Sequence, residues 1–169
     1  MITSAVAIEQ WDLIEPFEIA RGVITASSLV TLTLTDSAGH VGRAEAAGVD
    51  YDGETPHMLQ AQIESVLPLV MAAAPGAIVN DATLQAVQEL LPAGGARNAI
   101  DCALWDLRAK QSGIPAWQYA ALPPLRPLTT VFTLGLGTES DTRRKARAAR
   151  HFPLIKIKCD ADRHVDVVR

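Results

Sequence analysis

The stretch Leu154-Ile155-Lys156-Ile157-Lys158-Cys159-Asp160 decides the fold class of this chain. Its apolar residues are typical of a strand buried in a parallel sheet, yet two lysines lie among them. Side chains alternate between the two faces of a strand, so Lys156 and Lys158 share one face. Inside a β/α barrel, desolvation and mutual repulsion would lower the pKa of these lysines, and one of them could then act as a base near neutral pH. The alternative is an edge strand whose lysines face water.

The residues on either side of this stretch alternate between strand and helix patterns. We predict an apolar strand over 129–136, a polar-faced helix over 139–151, the lysine-bearing strand over 154–159 and the start of another helix at 162–169. This order with short loops is typical of the beginning of a parallel β/α architecture. Two parallel strands cannot bury both of their faces, so this part is expected to be completed by further chain, by another polypeptide, or not at all.

The N-terminal part of the chain has an antiparallel pattern. Strands are predicted over 2–13, 28–35 and 41–46, with Pro and Gly marking a loop at 16–22. The short connection between the second and third strands contains Gly39, which favours a hairpin. A three-stranded meander is therefore expected to open the protein.

Three amphipathic helices are predicted after the meander. The first begins at Pro56 behind the cap Thr55, the second is capped by Asp81, and the third covers 96–111 and stops at Gly113. The predicted fold class is thus an α+β capping domain, an antiparallel meander plus helices, over residues 1-122. It is followed over residues 123-169 by the start of a (β/α) barrel, truncated after two barrel strands.

The composition and net charge of the chain argue against some classes of binding partner. The 169 residues are 49% hydrophobic and 20% charged, as in a soluble globular protein, and the net charge of -4 argues against nucleic acid as a partner. No signal peptide or membrane-spanning apolar run is apparent, so we predict no membrane and a cytoplasmic location. Cys102 and Cys159 lie within apolar runs and are expected to be buried free thiols of a reducing compartment.

Three segments carry a resemblance to a known family. Pro16–Gly22 looks like a mobile capping loop, Asp50–Thr55 looks like a second capping loop, and Leu91–Leu107 is similar to a signature helix. Together with the lysine-bearing strand they resemble the enolase superfamily, in its mandelate racemase/muconate lactonizing enzyme branch, and within it the dipeptide epimerases of the L-Ala-D/L-Glu type. The resemblance covers nearly the whole chain, as the N-terminal part of such an enzyme.

The resemblance implies a reaction and a set of site residues. The reaction would be a 1,1-proton transfer at the α-carbon of a dipeptide through a Mg-stabilised enolate. Lys158 would be the acid/base, and Lys156 would lie beside it, lower its pKa and help to neutralise the enolate oxygen. Thr133, Arg21 and Tyr51 would contact the substrate, although a threonine is also a common strand former, and Arg21 and Tyr51 can be ordinary surface-loop residues.

The family also implies groups that this chain does not contain. Its Mg²⁺ is held by three carboxylates on later barrel strands, so no metal ligand is expected among these 169 residues, and the second lysine on the opposite face of the substrate is missing as well. The implied partner is a small-molecule dipeptide, and a homo-oligomer is left open. Asp101 and Asp106 are interpreted as structural carboxylates that cap or pair within their helix.

Residue 24 departs from the family pattern. Epimerases for L-Ala-D/L-Glu place a basic residue three positions after the loop arginine, where this chain has Ile24. An apolar side chain cannot pair with a carboxylate, and Asp50 and Asp52 add negative charge to the second loop. These residues predict a substrate with a basic or neutral side chain.

Two alternatives to dipeptide epimerisation follow from the same residues. One is another reaction of the superfamily, namely N-acylamino acid racemisation, o-succinylbenzoate synthesis or cycloisomerisation, because these would use the same lysine pair. The other is a catalytically inert chain, either a truncated remnant or a capping and interaction module, because without metal ligands Lys158 has no electrophile to work against.

Overall fold

The computed structural model describes residues 1–159; the helix predicted from residue 162 lies outside this range. Short 3₁₀ turns cover Asp50–Asp52 and Pro75–Ala77. In chain order the strands and helices are β1 (Ile2–Ile19), β2 (Gly22–Asp36), β3 (Val41–Ala46), α1 (Pro56–Ala72), α2 (Asp81–Leu90), α3 (Gly95–Ser112), α4 (Ala116–Tyr119), β4 (Phe132–Leu134), α5 (Glu139–Ala148) and β5 (Ile155–Ile157).

The chain divides into two compact units. The first unit contains residues 1–10 and 28–125, and the second contains residues 11–27 and 126–169. The predicted order of an antiparallel sheet with helices, followed by the first barrel strands, is confirmed. The boundary near residue 122 stays a prediction.

The first unit is built on the antiparallel sheet β1-β2-β3. In β2, Val30, Leu32 and Leu34 alternate with threonines and are fully buried, as expected of a strand with one face on the core. The pairing of β2 with β3 runs from Val30 opposite Ala46 to Thr35 opposite Val41. The period of two in the sequence therefore sets which face of the sheet the helices cover.

Helices α1 and α3 supply the other half of the core. Helix α1 begins as predicted, because the hydroxyl of Thr55 accepts a hydrogen bond from the Met58 amide at 3.3 Å and Pro56 needs no donor partner in the first turn. Helix α3 ends at Gly113 in the left-handed conformation. The buried side chains of these helices are Leu59, Ile63, Leu67 and Val70 in α1 and Ala96, Ala99, Ile100, Ala103, Leu104 and Leu107 in α3.

The cap of α2 differs from the prediction. Asn80, not Asp81, is the capping residue: its side-chain oxygen accepts from the Thr83 amide at 3.1 Å, and the Thr83 hydroxyl accepts from the Asn80 amide at 3.3 Å. Asp81 is instead the first helical residue. The cap must have an extended backbone outside the helix, and the pattern of apolar residues did not distinguish between the two neighbouring polar residues.

The segment 16–22, predicted as a loop, is mostly strand. Strand β1 continues to Ile19 and β2 starts at Gly22, so only Ala20 and Arg21 form the turn between them. The prediction was wrong because Pro16 was interpreted as a sign of a loop, whereas it lies inside β1. Strand β1 is at the edge of its sheet, where a residue without an amide hydrogen is tolerated.

The second unit contains the parallel pair β4 and β5, connected through α5. Both strands are shorter than predicted, three residues each, and α5 is capped by the Thr138 hydroxyl, which accepts from the Asp141 amide at 3.2 Å. Leu134 is buried, while Leu154 and Ile157 are each 53% exposed. Exposed apolar side chains on a parallel pair indicate a surface that the described residues do not cover.

The exposure of the two cysteines differs from the prediction. The prediction of buried thiols is wrong, because Cys102 and Cys159 are both exposed. An apolar neighbourhood in sequence does not fix which side of a helix or strand end a single residue occupies. Within the described range, no helix combines the length and apolar character that crossing a membrane requires.

Candidate functional site

The pairing of β4 with β5 brings three of the predicted site residues together. Thr133 is the direct neighbour of Lys156 in the parallel register. The amide of Lys158 donates to the carbonyl oxygen of Leu134 at 3.0 Å, so the pairing continues to this residue. Because side chains alternate, Thr133, Lys156 and Lys158 lie on one face of the pair. We call these three residues the lysine face.

The lysine face is open in this structure. Lys156 is exposed, and Lys158 and Thr133 are partly buried. Residues 1–159 thus bring the two lysines to one face but do not enclose them. An open face keeps an ammonium group hydrated, so the enclosed environment assumed from the sequence is not formed by these residues.

The far end of the β1–β2 hairpin is attached to the end of β4. The amide of Leu136, two residues beyond β4, donates to the carbonyl oxygen of Glu18 at 2.8 Å. The carboxylate of Glu15 lies 3.8 Å from both Arg144 and Lys145 on α5. The hairpin tip is therefore held at the carboxyl end of the first barrel strand.

Arg21 and Ile24 lie on the hairpin that is attached to the end of β4. Arg21 is in the two-residue turn and Ile24 follows on β2, 40% exposed. Both are in the second unit with the lysine face, whereas Tyr51 is in the first unit, on the turn Asp50–Asp52 and 69% exposed. The second unit thus contains five of the six predicted site residues.

An aromatic groove of about 520 Å³ was not predicted from the sequence. The rings of Phe17, Phe132 and Phe152 line it, and Phe132 stacks on Phe152 with ring centroids 4.6 Å apart. Thr133 contributes to its wall, but Lys156 and Lys158 do not. The groove therefore shares Thr133 with the lysine face but does not include its two lysines.

The carboxylates of α3 have structural partners. Asp106 accepts from Lys110 at 2.7 Å and from the amide of Arg43 at 2.8 Å. Burial raises the pKa of Asp101, and a hydrogen bond from Gln88 and the charge of Arg97 partly oppose this rise. In the described part of the chain, no three His, Cys, Asp or Glu side chains form a group that could hold a metal ion.

The sequence of this chain is similar to those of known proteins. The model of the mandelate racemase / muconate lactonizing enzyme N-terminal domain matches residues 1–119. The L-Ala-D/L-Glu epimerase of Escherichia coli (strain K12) is 32% identical over 162 residues, which cover 95% of this chain and 48% of that enzyme. The hydrophobic dipeptide epimerase of Roseobacter litoralis is 34% identical over 149 residues, which cover 85% of this chain and 40% of that enzyme.

Solved structures show the same likeness. An enolase family member from Agrobacterium tumefaciens with homology to dipeptide epimerases, solved with bound sodium and L-Ala-L-Glu, has a TM-score of 0.85 and 31% identity over 99% of this chain and 51% of its own. Three dipeptide epimerases that are 20%, 24% and 24% identical share the fold, and each was solved with Mg and a dipeptide. This chain spans about half the length of these relatives. Since the family model covers well over half of its residues, the chain belongs to the mandelate racemase/muconate lactonizing enzyme family of the enolase superfamily.

Proposed function

We propose that this chain is the N-terminal portion of a dipeptide epimerase, which inverts an α-carbon by 1,1-proton transfer. The observation that carries the proposal is the lysine face. The register of β4 and β5 puts Lys156 next to Thr133, and Lys158 lies two residues further, just after the end of β5. Relatives that act on dipeptides, at 32% and 34% identity, support the same reaction.

In the proposed reaction Lys158 is the acid/base. Nζ of Lys158 takes the α-proton from one face of the substrate, and the electron pair of the broken C–H bond moves towards the adjacent carbonyl oxygen. An α-proton next to an amide is weakly acidic, so the developing negative charge has to be stabilised, and the ammonium group of Lys156 lies on the same side of the sheet. Return of a proton to the opposite face requires a second acid, which we do not assign among residues 1–159.

The magnesium ion implied by the family does not fit the described residues. Mg²⁺ prefers oxygen ligands, usually carboxylates, and within residues 1–159 no three acidic, His or Cys side chains come together. The contribution of this part of the chain to catalysis is therefore the lysine face and the hairpin attached to β4.

The same proposal includes a preference for an uncharged or basic substrate side chain. Ile24 is apolar and 40% exposed on the hairpin that is fixed to β4 through Glu18. A relative of 34% identity is a hydrophobic dipeptide epimerase, which is consistent with an apolar residue at this position. Arg21 and Tyr51 complete the proposed contacts to the dipeptide, Arg21 by pairing with a carboxylate.

The test is exchange of the substrate α-proton in heavy water, followed by mass spectrometry. The polypeptide is taken from its native cell and offered Ala-Glu, Ala-Leu and Ala-Lys dipeptides with Mg²⁺. We expect faster exchange with Ala-Leu or Ala-Lys than with Ala-Glu, and loss of about 10²–10⁴-fold of the rate in Lys158→Ala. Lys110→Ala, which removes a lysine that pairs with Asp106 on α3, is the control and should keep the rate.

Three results would contradict the proposal. Exchange that is unchanged in Lys158→Ala would exclude the acid/base assignment, and preference for Ala-Glu would exclude the side-chain assignment. The intact mass of the native polypeptide, measured beforehand, separates a third case. If the mass is 18.1 kDa, that of this chain, and no dipeptide exchanges its α-proton, the inert alternative is correct.

A further inference from the structure

Glu54 joins a loop to the first turn of a helix in the first unit. One carboxylate oxygen accepts from the amide of Gly95 at 3.0 Å, and the other accepts from the amide of Val49 at 3.1 Å. The backbone amide of Glu54 also donates to the carbonyl oxygen of Val49 at 3.2 Å. Residues 49 and 54 are thus bonded in both directions, and the segment between them, which carries Tyr51, is a closed loop.

The first turn of α3 receives a side-chain hydrogen-bond acceptor from Glu54, because the capping residue of this helix has no side chain that could provide one. The capping residue is Gly94, which has no side chain with which to accept a hydrogen bond from the first amides of the helix. Glu54, 41 residues earlier in the chain, takes that role at Gly95. A negative charge is also favourable next to the positive end of a helix dipole.

A side chain at position 94 would meet the Glu54 carboxylate. A Cβ atom at this position would lie 2.7 Å from the carboxylate oxygen of Glu54 that bonds to Gly95. The backbone of Gly94 is extended, with φ of 162°, so an alanine could adopt it without backbone strain. Gly94→Ala therefore displaces the Glu54 carboxylate without changing Glu54 itself.

We propose that Glu54 is a positioning residue, which fixes the loop that carries Tyr51 by binding it to the N-terminus of α3. This inference rests on the proposed function only for the role of Tyr51 towards a substrate. The attachment of the loop to α3 is independent of that function. Displacing the carboxylate should therefore move Tyr51 and open the first turn of α3 together.

The chain has only two tyrosines, Tyr51 and Tyr119, which makes fluorine labelling selective. With 3-fluorotyrosine in the 169-residue chain, ¹⁹F NMR reports each ring by one line. Tyr119 is an internal control, since its ring stacks under the guanidinium of Arg108 at 4.2 Å, on a different part of the first unit. Hydrogen exchange of the Val49 and Gly95 amides is measured on the same samples.

For Glu54→Ala and Gly94→Ala we expect the Tyr51 line to shift while the Tyr119 line stays in place. Exchange of the Val49 and Gly95 amides should rise about tenfold or more, the factor expected when a hydrogen bond to a charged group is lost. Glu54→Gln should accelerate only one of the two amides, because its NH₂ group cannot accept a hydrogen bond. Glu45→Gln, a change at an exposed carboxylate on β3, should leave both readouts unchanged.

Two results would overturn the inference. A Tyr51 line that stays in place in both Glu54→Ala and Gly94→Ala would show that the carboxylate does not position the loop. Lines of Tyr51 and Tyr119 that move together would show a general loss of structure instead of a local release. Failure of the proposed function is read separately, because it appears as absence of α-proton exchange in the unsubstituted polypeptide.

Discussion

At the scale of single residues, the carboxylate of Asp36 accepts four hydrogen bonds. Its carboxylate is 6% exposed and accepts from the amides of Ala38 and His40, each at 2.9 Å, from Nδ1 of His40 at 2.8 Å and from the side chain of Gln111 at 3.0 Å. The bond from Gln111 is the largest cause that holds the pKa of Asp36 well below its usual range, and the bonds from His40 and Ala38 add to it against the opposing effect of burial.

The lowered pKa of Asp36 predicts a loss of stability in acid. A carboxyl group whose pKa is lower in the folded state binds fewer protons there than in the unfolded chain. Its stabilising contribution is therefore complete above the unfolded pKa of about 3.9 and is lost as the pH falls through the folded value. We expect the free energy of unfolding of the 169-residue chain, measured with urea, to fall steeply as the pH is lowered below about 4.

Substitutions distinguish the contribution of Asp36 to acid sensitivity from that of the other carboxylates. Asp36→Asn should be less stable than the unsubstituted chain at pH 7 and should show a shallower decrease in acid. Asp12→Asn, at an exposed position of β1, should reproduce the pH profile of the unsubstituted chain. Equal acid sensitivity of Asp36→Asn and the unsubstituted chain would contradict this assignment.

The proposed role of Ile24 in side-chain preference can be tested by a single substitution. In the α-proton exchange assay, Ile24→Lys should raise the rate with Ala-Glu relative to Ala-Leu by about tenfold or more, since a charged hydrogen bond to the substrate carboxylate becomes available. Val23→Lys places the same charge on the neighbouring residue, which points to the other face of β2 and is 58% exposed. If Val23→Lys changed the ratio equally, net charge on the hairpin and not position 24 would be responsible.

At the scale of the helices and strands, α2 provides a direct test of which residue caps a helix. Replacing the cap Asn80 by alanine removes the acceptor for the Thr83 amide and should lower the free energy of unfolding by about 1 kcal/mol. Asp81→Ala removes an exposed ion pair with Arg108, which is usually a smaller contribution. Urea unfolding of the two variants measures both losses, and a larger loss for Asp81→Ala would restore the sequence-based assignment.

Helices and strands were predictable where one residue fixes the end of an element. Pro56 and Thr55 start α1, and Gly113 ends α3, because each has a conformational or hydrogen-bonding property that acts locally. The hairpin was less predictable, since Pro16 is tolerated in β1 only because that strand lies at the edge of a sheet. Edge position depends on the order of strands, which local pattern does not contain.

Some features of the candidate site were also predictable from the sequence, and others were not. The common face of Lys156 and Lys158 follows from a spacing of two, and the neighbouring position of Thr133 follows once the strands are paired in register. The role of Glu54 had no local signal, because its partner Gly95 is 41 residues away and a glutamate before a helix commonly faces solvent. Bonds between distant residues appear only in the folded chain.

At the scale of the whole molecule, the two units differ in how much apolar surface they bury. The first unit has a contiguous core in which Leu32, Ile63, Ile100 and Leu104 are completely buried. In the described part of the second unit only four side chains are buried, namely those of Leu134, Leu136, Thr142 and Ala149. A parallel pair of short strands obtains little stability from its own hydrogen bonds and normally needs cover on both faces.

This difference predicts unequal local stability in the 169-residue chain. Amides of Leu104 and Leu107 in α3 should exchange with heavy water slowest, because they open only when the first unit unfolds. The amides of Phe132 and Lys158, which join β4 and β5 through the carbonyl oxygens of Leu154 and Leu134, should exchange at least about a hundredfold faster. NMR-detected exchange measures both sets in one sample. Equal protection would mean that the parallel pair is stable without the cover that its exposed Ile157 and Leu154 side chains call for, and the lysine face would then be rigid in this chain alone.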